Sequence, residues 1–471
     1  MANSKYEESL KELATYRELH ISGPYSGGAC KERKLLQIER TPLFSWEAKQ
    51  IAQEILPQYG YLGEGNLPGP TILLNTNTPW SAFICGSQGS GKSHTLSCML
   101  ENCLSASPKI GKLPTPLTGI VFHYDPRSTA QVCEAAYLCS ADIRVKVLLS
   151  PGSHERLEAA YRNLPKADMN LEVHTLRLKS HHLNLSRMKS LMALADKESA
   201  PPLYAEMINN FLRQMNVARK PFVFEKFRRD VNNLDLLGNQ KQTMNQRLEL
   251  LEYLMEKPPT PMRNGETTAN RVDVLKNDPG TLTIVDLNDP YIDASYACML
   301  FDICLDIFLE INKCDGQNEK GGRVVALDEA HMYMQNGPAA DRFTESLIHA
   351  IAKERHEGAR VIVATQEPTI STKFLDLCSM TFVHRFTSPA WFDTLKGHLA
   401  GASTQSGISH DEVRAILNKI CKLNVGEALL FSPSALVRVE GGKPTTMNNS
   451  YLEFKTRPRL SWDGGQSLLA N

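Results

Sequence analysis

The sequence predicts an α/β fold in which helices cover both faces of a mainly parallel sheet. Three observations lead to this prediction. Apolar runs of strand length recur along the chain and alternate with helical stretches, as is typical of parallel strands buried on both faces. A glycine-rich loop of the phosphate-binding type follows one of these runs. A pair of carboxylates ends another of them.

Eight apolar runs are the predicted strands of this sheet. They span residues 81–86, 119–124, 145–149, 173–178, 282–287, 323–327, 360–364 and 380–386. Their residues are mostly Val, Ile, Leu and Phe with little alternation of polar side chains, which favours strands that are buried on both faces. We therefore expect these runs to form one sheet.

The chain divides into five predicted segments. They are an N-terminal extension (1–70), the first part of the core (71–180), a mainly helical insert (181–280), the second part of the core (281–445) and a C-terminal tail (446–471). The extension has helical spacing over 6–19 and ends at a Pro-Gly-Pro boundary at 68–70, so we expect it to be short and helical. Within the last two segments, 426–431 and 435–439 suggest a hairpin, and the tail is expected to be loose from Arg459.

Composition and charge are those of an ordinary globular protein. The 471 residues are 42% hydrophobic and 22% charged, and 52 basic residues balance 52 acidic ones. This net charge of +0 argues against a broadly basic surface for nucleic acid, although a local basic patch stays open.

Cysteine usage and hydropathy indicate the compartment. The eleven cysteines are an odd number, none forms C-x-x-C, and most stand among apolar residues. We interpret them as buried small side chains in a reducing compartment and expect no structural zinc. Acidic residues interrupt the most apolar long run, 297–311, and the charged first residues lack a signal core. The expectation is a cytoplasmic or nuclear protein without a membrane partner.

The most specific motif is the run GSQGSGKS at 86–93, which fits G-x-x-x-x-G-K-[ST] at every fixed position. An apolar run precedes it and a helix-compatible run follows it, which is the context that a Walker A loop needs. Such a loop turns backbone N–H groups towards a phosphate chain, so it predicts a nucleoside triphosphate as ligand. The alternative is a Gly/Ser-rich surface turn. The predicted binding residues are Gly86, Ser87, Gln88, Gly89, Ser90, Gly91, Lys92, Ser93 and His94.

Within the loop, two side chains have specific roles. Lys92 would reach the β- and γ-phosphates, and the Ser93 hydroxyl would bind Mg²⁺. The run VVALDEAH at 324–331 supplies the second half of such a site, a buried strand that ends in two carboxylates. Asp328 would hold the Mg²⁺ and Glu329 would act as general base on water. The alternative is a strand end followed by an acidic helix start.

A third run, ARVIVATQEP at 359–368, places Gln366 just after a buried strand. Ligands bind at the carboxyl ends of such strands, so Gln366 could sense the γ-phosphate or position water. The alternative is a neutral amide in a loop. Just upstream, Arg355 or Arg360 could reach the nucleotide of a neighbouring subunit as an arginine finger, and the alternative is an arginine with no catalytic duty.

The order of these motifs resembles the HerA/FtsK superfamily of P-loop ATPases, and its HerA-like branch most. The resemblance covers roughly 71–145 and 280–400 and includes the strands at 281–287 and 382–386 and the helix at 346–355. It implies a RecA-like core with an additional strand, ATP and Mg²⁺ as cofactors, and a homo-oligomeric ring, typically a hexamer. It also implies Arg355 as the arginine that acts in trans, Gln366 as the polar sensor and Asp125 as a further acidic position.

These observations lead to one functional hypothesis and one alternative. The first is an ATP-hydrolysing motor that acts as a ring on double-stranded DNA, with protein as the other substrate used in some branches of the superfamily. The alternative is an ATP-dependent switch or scaffold that controls protein assembly without DNA, which the neutral net charge slightly favours. A small-molecule kinase is a distant third, since no acceptor pocket can be identified.

Overall fold

A computed structural model shows how these segments fold. It describes residues 39–51, 56–66, 69–126, 131–184, 186–188, 203–217, 223–233, 238–256, 275–276, 278–311, 322–335, 337–352, 359–368, 370, 372–400, 410–448 and 450–464. The predicted helix at 6–19 and the Pro-Gly-Pro boundary lie wholly or partly outside these residues.

One large mixed sheet organises the described residues, with a small separate ribbon beside it. The strands are β1 (Leu43–Ser45), β2 (Tyr59–Gly65), β3 (Thr71–Asn75), β4 (Ser81–Cys85), β5 (Gly111–Lys112), β6 (Thr118–His123), β7 (Arg144–Leu149), β8 (Leu171–Thr175), β9 (Thr281–Asp286), β10 (Arg323–Leu327), β11 (Ala359–Thr365), β12 (Met380–His384), β13 (Glu427–Phe431), β14 (Arg438–Glu440), β15 (Lys443–Thr445) and β16 (Leu452–Thr456). The large sheet runs β1-β3-β2-β16-β13-β12-β4-β11-β10-β6-β9-β7-β8, with β5 paired to β2, and β14 pairs with β15.

Eight neighbouring strands, from β12 to β8 in the sheet order, are parallel. They correspond to the eight apolar runs of the sequence, which confirms the predicted α/β class and its mainly parallel sheet. The remaining pairs, from β13 to β1, are antiparallel. The central strands β4, β6, β9, β10, β11 and β12 are buried along their whole length, because helices cover both faces.

Helices lie between most of the parallel strands. They are α1 (Trp46–Ile51), α2 (Lys92–Leu104), α3 (His154–Arg162), α4 (Ala167–Asn170), α5 (Leu203–Val217), α6 (Phe224–Asn232), α7 (Gly238–Leu254), α8 (Ala294–Ile311), α9 (Pro338–Ala352), α10 (Thr372–Leu377), α11 (Pro389–Ala400) and α12 (His410–Lys422). Short 3₁₀ helices span Glu134–Ala141, Ser180–His182 and Ala330–Met332. None of the described helices is long and apolar enough to span a bilayer.

Alternate residues of the parallel strands face two separate cores. On β4, Phe83 and Cys85 join one core, whereas Ala82 and Ile84 join the other. The first core is packed against α8 and α9, and the insert helices α5, α6 and α7 contribute buried residues to it. The second is packed against α2, α3 and the Glu134–Ala141 turn. The insert at 181–280 is therefore part of the main body of the protein where it is described.

Both ends of the chain depart from the predicted organisation. The predicted extension 1–70 is not a separate helical unit where it is described, because β1 and β2 belong to the main sheet and flank the helix at 46–51. The predicted tail 446–471 is also wrong in its bounds, because β16 pairs with β13 and β2 in the centre of the antiparallel half. Both segments differ from the prediction because their strands pair with strands that are distant in the sequence.

The predicted C-terminal hairpin does not form either. β13 pairs with β12 and β16, and the residues after it form the ribbon of β14 and β15 instead of folding back on β13. The predicted loose end is also wrong as far as it is described: the guanidinium of Arg459 is 4% exposed and binds Glu134 and Asp463. Local turn signals suggested the hairpin, whereas long-range pairing with β16 decided the register.

Candidate active site

The predicted site residues meet at one edge of the parallel sheet. β4, β11, β10, β6 and β9 are consecutive neighbours that run in the same direction, so their carboxyl ends lie side by side. The residues at these ends are Gly86, Gln366, Asp328, His123 and Asp286. Ligands of open α/β sheets bind at this edge, so the fold brings the separate motifs of the sequence together.

The loop after β4 has the backbone shape that a phosphate cradle requires. Gly89 and Gly91 have φ values of 71° and 107°, in the left-handed region that favours glycine. A Cβ atom on Gly91 would also lie 2.7 Å from the backbone nitrogen of Gly426. Helix α2 begins at the next residue, so its first free N–H groups and the positive end of its dipole face the loop.

Backbone contacts from the neighbouring strand region hold this loop in place. The N–H and Oγ of Ser87 both donate to the carbonyl of Arg385, at 2.9 and 2.8 Å. The carbonyl of Ser90 accepts from the N–H of Gly426 at 3.1 Å. The loop is thus anchored on the residue that follows β12 and on the residue that precedes β13, which the sequence alone did not indicate.

Lys92 lies in an acidic and largely buried environment. Its side chain donates to the carbonyl of Ser87 at 3.2 Å, and the residue is 5% exposed. Burial lowers the pKa of Lys92, and the carboxylates of Glu329 and Asp328 oppose that shift. The predicted lysine and both predicted carboxylates therefore interact electrostatically in one place, as a site for a polyanion and a cation requires.

Glu329 has an unusual backbone conformation. Its φ of 46° is positive, which is uncommon for a residue other than glycine and costs of order 1–3 kcal/mol. Its Oε1 accepts a hydrogen bond of 3.2 Å from Nε2 of Gln366, and its Oε2 lies 3.4 Å from Nδ1 of His331. Burial raises the pKa of Glu329, the Asp328 carboxylate raises it further, and Lys92 and Gln366 oppose the shift.

The residues at this edge fit Mg²⁺. Asp328 is a buried carboxylate that follows β10, and Ser93 offers a partly buried hydroxyl from the first turn of α2. Both are oxygen donors, which is the ligand type that Mg²⁺ takes, usually with few protein ligands and with water and phosphate oxygens for the rest. The backbone N–H of Asp328 donates to the carbonyl of Phe122, which holds the carboxylate against the edge of β6.

Further polar side chains lie next to Asp328, at the ends of β6 and β9, and the sequence analysis did not identify them. His123 ends β6 and its Nδ1 lies 3.5 Å from Oδ2 of Asp328. Asp286 ends β9 in register with His123, and it accepts a hydrogen bond of 2.5 Å from the hydroxyl of Tyr161. Burial opposes a charged imidazole, but the carboxylates of Asp328, Asp286 and Asp125 outweigh it and raise the pKa of His123 to about 9.

The same hydroxyl of Tyr161 accepts from the N–H of Cys133 at 3.0 Å, and Sγ of Cys133 lies 3.9 Å from Oδ2 of Asp328. Burial and the nearby carboxylates raise the pKa of the Cys133 thiol well above its usual range. The alignment of two polar strand ends could have pointed to His123 and Asp286, because both apolar runs were recognised. No comparable signal pointed to Cys133, which lies outside the strands.

The two candidate arginines have different outcomes. Arg355 lies outside the described residues, so its trans-acting role stays a prediction. Arg360 is at the amino end of β11, the opposite edge from the loop, where it is 3% exposed and donates to the carbonyl of Thr76 at 2.9 Å. A buried guanidinium at that edge cannot reach a nucleotide on a neighbouring subunit, so the finger role is wrong for Arg360.

The C-terminal segment binds the helix that carries the loop. His94 Nε2 lies 2.7 Å from the carbonyl of Arg457, so its ring is engaged with this segment. The guanidinium of Arg457 forms a buried ion pair with Glu101 at 2.8 Å. The same carboxylate accepts from the N–H groups of Leu460 and Ser461 at 2.9 Å. Helix α2 is therefore held by residues of the predicted tail, including Leu460 and Ser461 from the part that was expected to be loose.

The sequence matches no protein-family model and no curated protein sequence. The fold, in contrast, is similar to solved structures. VirB4 of Thermoanaerobacter pseudethanolicus aligns with a TM-score of 0.51 at 13% identity, over 84% of this chain and 96% of that chain. The plasmid coupling protein TrwB aligns with a TM-score of 0.43 at 12% identity, over 82% of this chain and 87% of that chain.

The chain has a RecA-like P-loop NTPase fold. This confirms the RecA-like P-loop core that the motif order implied. At these identities the likeness establishes the architecture of the protein, and the activity has to be argued from the residues of its own site.

Proposed function

We propose that this protein binds ATP on the 86–93 loop and hydrolyses it with Glu329 as general base. The observation that supports the proposal most is the hydrogen bond between Gln366 and Glu329, at the sheet edge where Lys92 and Asp328 also interact. A simple triphosphate-binding protein needs only the loop and the lysine. Activation of water also requires a carboxylate that is held in position as a base. Here the neutral amide of Gln366 orients the carboxylate of Glu329.

In the proposed reaction, each of these groups has one task. The N–H groups of the loop and of the first turn of α2 bind the phosphate oxygens, and Lys92 offsets the charge of the β- and γ-phosphates. Ser93 and Asp328 hold Mg²⁺, which supplies further charge neutralisation when it is bound. Glu329 accepts a proton from the attacking water, and Gln366 keeps one carboxylate oxygen in place so that the other faces the reaction.

The raised pKa of Glu329 suits this role, because a more basic carboxylate accepts a proton more readily. The left-handed backbone at Glu329 supports the same assignment, since strain at a residue of this kind persists where the surrounding structure holds it for function. At a strand end without a catalytic role, glycine would adopt a φ of 46° without this cost and would make the protein more stable.

The proposed motor acts as a homo-oligomeric ring, with a hexamer as the expected form and double-stranded DNA as the expected substrate. The likeness of the fold to VirB4 supports the RecA-like core on which this proposal rests. In this proposal Arg355 of one subunit completes the site of the next. The Arg355→Ala variant should then lose roughly 10³-fold or more in turnover while each subunit still binds ATP.

The Glu329→Gln variant tests the hydrolytic role directly. Glutamine keeps the size and the hydrogen-bonding capacity of the side chain but cannot accept the proton, so turnover should fall by about 10²–10⁴-fold while ATP stays bound. Steady-state phosphate release and retention of radiolabelled ATP after gel filtration measure the two properties. Turnover at the wild-type rate in this variant would remove Glu329 from its proposed role.

The alternative function is a nucleotide-dependent switch or scaffold that does not use DNA. The balance of 52 basic and 52 acidic residues favours it, because phosphate contacts need an excess of positive charge on one surface. Duplex DNA should stimulate the ATPase of a motor, and the stimulation should weaken as salt rises. Native mass measurement with and without ATP and duplex DNA tests whether the subunits assemble into a ring. Nucleotide-dependent assembly without any effect of DNA would favour the switch.

A further inference from the structure

We propose that His123, Cys133 and Asp328 form a binding site for a transition-metal cation of the zinc class, next to the nucleotide site. The three residues come from different elements: the end of β6, the segment before the Glu134–Ala141 turn, and the end of β10. All three are buried, and their candidate ligand atoms lie within 4.8 Å of one another. The proposed binding itself is independent of ATP hydrolysis.

Two of the three separations are close to those of an occupied site, and the third, between His123 and Cys133, is within 4.8 Å. Nδ1 of His123 lies 3.5 Å from Oδ2 of Asp328, and Sγ of Cys133 lies 3.9 Å from the same oxygen. Zinc bonds of about 2.0–2.3 Å in tetrahedral geometry place ligand atoms roughly 3.3–3.6 Å apart. The separation between Nδ1 of His123 and Oδ2 of Asp328 already lies in this range. The separation between Sγ of Cys133 and Oδ2 of Asp328 would have to shorten by a few tenths of an ångström.

An unsatisfied buried histidine is the second, independent observation. The side chain of His123 is 7% exposed, and neither of its ring nitrogens has a hydrogen-bond partner among the described residues. Buried polar groups without partners are rare and costly, and a missing ion is one explanation for them. A metal bond to Nδ1 would satisfy that nitrogen. A proton on His123 is the other candidate, because it would also offset the nearby carboxylates.

The charges around the cluster favour a cation. Asp328 is 4% exposed and Asp286 is fully buried, and buried carboxylates need a paired charge or a metal. Asp286 accepts from the hydroxyl of Tyr161 and from the N–H of Asn288 at 2.9 Å, and the same hydroxyl accepts from the N–H of Cys133, so Asp286 is an outer carboxylate linked to the cluster through Tyr161. Such outer carboxylates orient the ligands of a metal and increase affinity for it.

The donor set selects the class of metal. One imidazole nitrogen, one thiolate and one carboxylate suit Zn²⁺, Co²⁺ or Cd²⁺, whereas Mg²⁺ takes oxygen ligands. On binding, the Cys133 thiol releases its proton to solvent and sulfur bonds to the metal. Three protein ligands leave a fourth position for water. The bound cation would occupy Oδ2 of Asp328, the carboxylate proposed to hold Mg²⁺, so it should inhibit ATP turnover. Only this last consequence rests on the proposed function.

Co²⁺ is a suitable probe, because a bond to sulfur gives a charge-transfer absorption in the near ultraviolet. The full chain, freed of metal with a chelator, should bind one Co²⁺ with this band, and Zn²⁺ should displace it. The Cys133→Ser variant should lose the band, and its Co²⁺ affinity should fall at least about tenfold. Cys139→Ser is the matched control, since this buried cysteine of the same region contacts the carbonyl of Pro165 instead.

The results of these experiments distinguish failure of the metal site from failure of the proposed ATP hydrolysis. Absence of a saturable band in the wild type, including the case in which His123 only takes up a proton, would overturn the metal site. A band that persists unchanged in Cys133→Ser would do the same. If Cys133→Ser does not fold, as judged by its thermal midpoint, His123→Gln provides the second test and should weaken Co²⁺ binding by a similar factor. A chain that binds one Co²⁺ but never hydrolyses ATP would refute the proposed function and leave the metal site intact.

Discussion

Gln366 donates a hydrogen bond from Nε2 to Oε1 of Glu329 at 3.2 Å, although the two residues follow different strands. Adjacent parallel strands β11 and β10 bring them together, and the amide holds one oxygen of a carboxylate whose backbone is in the left-handed region. The contact links the third motif of the sequence to the second.

The first prediction concerns this contact. Gln366→Leu removes the donor at nearly constant volume, so Glu329 loses an orienting hydrogen bond of about 1.5–3 kcal/mol. The turnover number should fall by roughly 10–150-fold, while ATP affinity changes little because Gln366 does not belong to the loop. Steady-state kinetics measure the two quantities separately. Glu367→Leu, at the exposed neighbouring residue, is the control, and equal effects of the two variants would contradict the assignment.

The second prediction concerns nucleotide binding by Lys92. In the wild type, ATP at 100 times its dissociation constant should stabilise the fold by about 2.7 kcal/mol. Lys92→Ala removes the charge that faces the phosphates, so this stabilisation should largely disappear. Thermal or denaturant unfolding with and without ATP measures it in both proteins. Lys112→Ala, in the exposed part of β5, should keep the full ATP effect. A normal ATP effect in Lys92→Ala would place the phosphates elsewhere.

The third prediction concerns the contact between the C-terminal segment and α2. Arg457 and Glu101 form an ion pair at 2.8 Å, with side chains only 2% and 0% exposed. Arg457→Ala leaves the glutamate buried without its partner, so the free energy of unfolding should fall by about 3–5 kcal/mol. Denaturant unfolding measures the change. Arg162→Ala, which removes the exposed partner of Glu158, should have a much smaller effect. Similar losses would show that the segment does not hold the helix.

The fourth prediction concerns pH and His384, which lies behind the loop. Burial lowers the pKa of His384 to about 3, so the folded protein keeps a neutral imidazole. Nδ1 donates to the carbonyl of Glu427 at 2.9 Å, because a carbonyl can only accept, and Nε2 then accepts from the hydroxyl of Thr95 at 3.1 Å. Protonation of Nε2 would break this arrangement.

The sign of the pH effect follows from this depressed pKa. Between about pH 6.5 and pH 3 the unfolded chain binds a proton at His384 that the folded chain does not bind, so stability falls as pH falls. This histidine alone contributes a slope of up to about 1.4 kcal/mol per pH unit in that window. Denaturant unfolding of the wild type and of His384→Gln at pH 5 to 7 measures the difference in slope. Equal slopes would show that His384 does not titrate on unfolding.

The parallel half of the sheet could be predicted because each of its strands is a local signal. A strand buried on both faces must be apolar along its whole length, and the eight runs recognised in the sequence satisfy this condition. The Walker A loop was equally predictable, since glycine, lysine and serine at fixed spacing are required by backbone geometry and charge within eight residues. The helices between the strands followed from the same alternation.

The antiparallel half could not be predicted from such signals. β2 and β16 are neighbours in the sheet although almost the whole core separates them along the chain. β2 also contains three glycines within Tyr59–Gly65, which weakens its strand pattern. The hairpin predicted after β12 was wrong for the same reason. Turn signals are local, whereas β13 pairs with β16, which is not the next strand in the sequence.

The sequence by itself determined the type of core and predicted the ligand class, because the phosphate loop and the apolar strands are specified by short stretches of residues. Only the tertiary structure decided which side chains share the site. Parallel pairing places Gln366 beside Glu329 and His123 beside Asp328, and it buries Arg360 at the opposite edge. The physical reason is that charge interactions and hydrogen bonds depend on distances in space, and those distances are set by strand order.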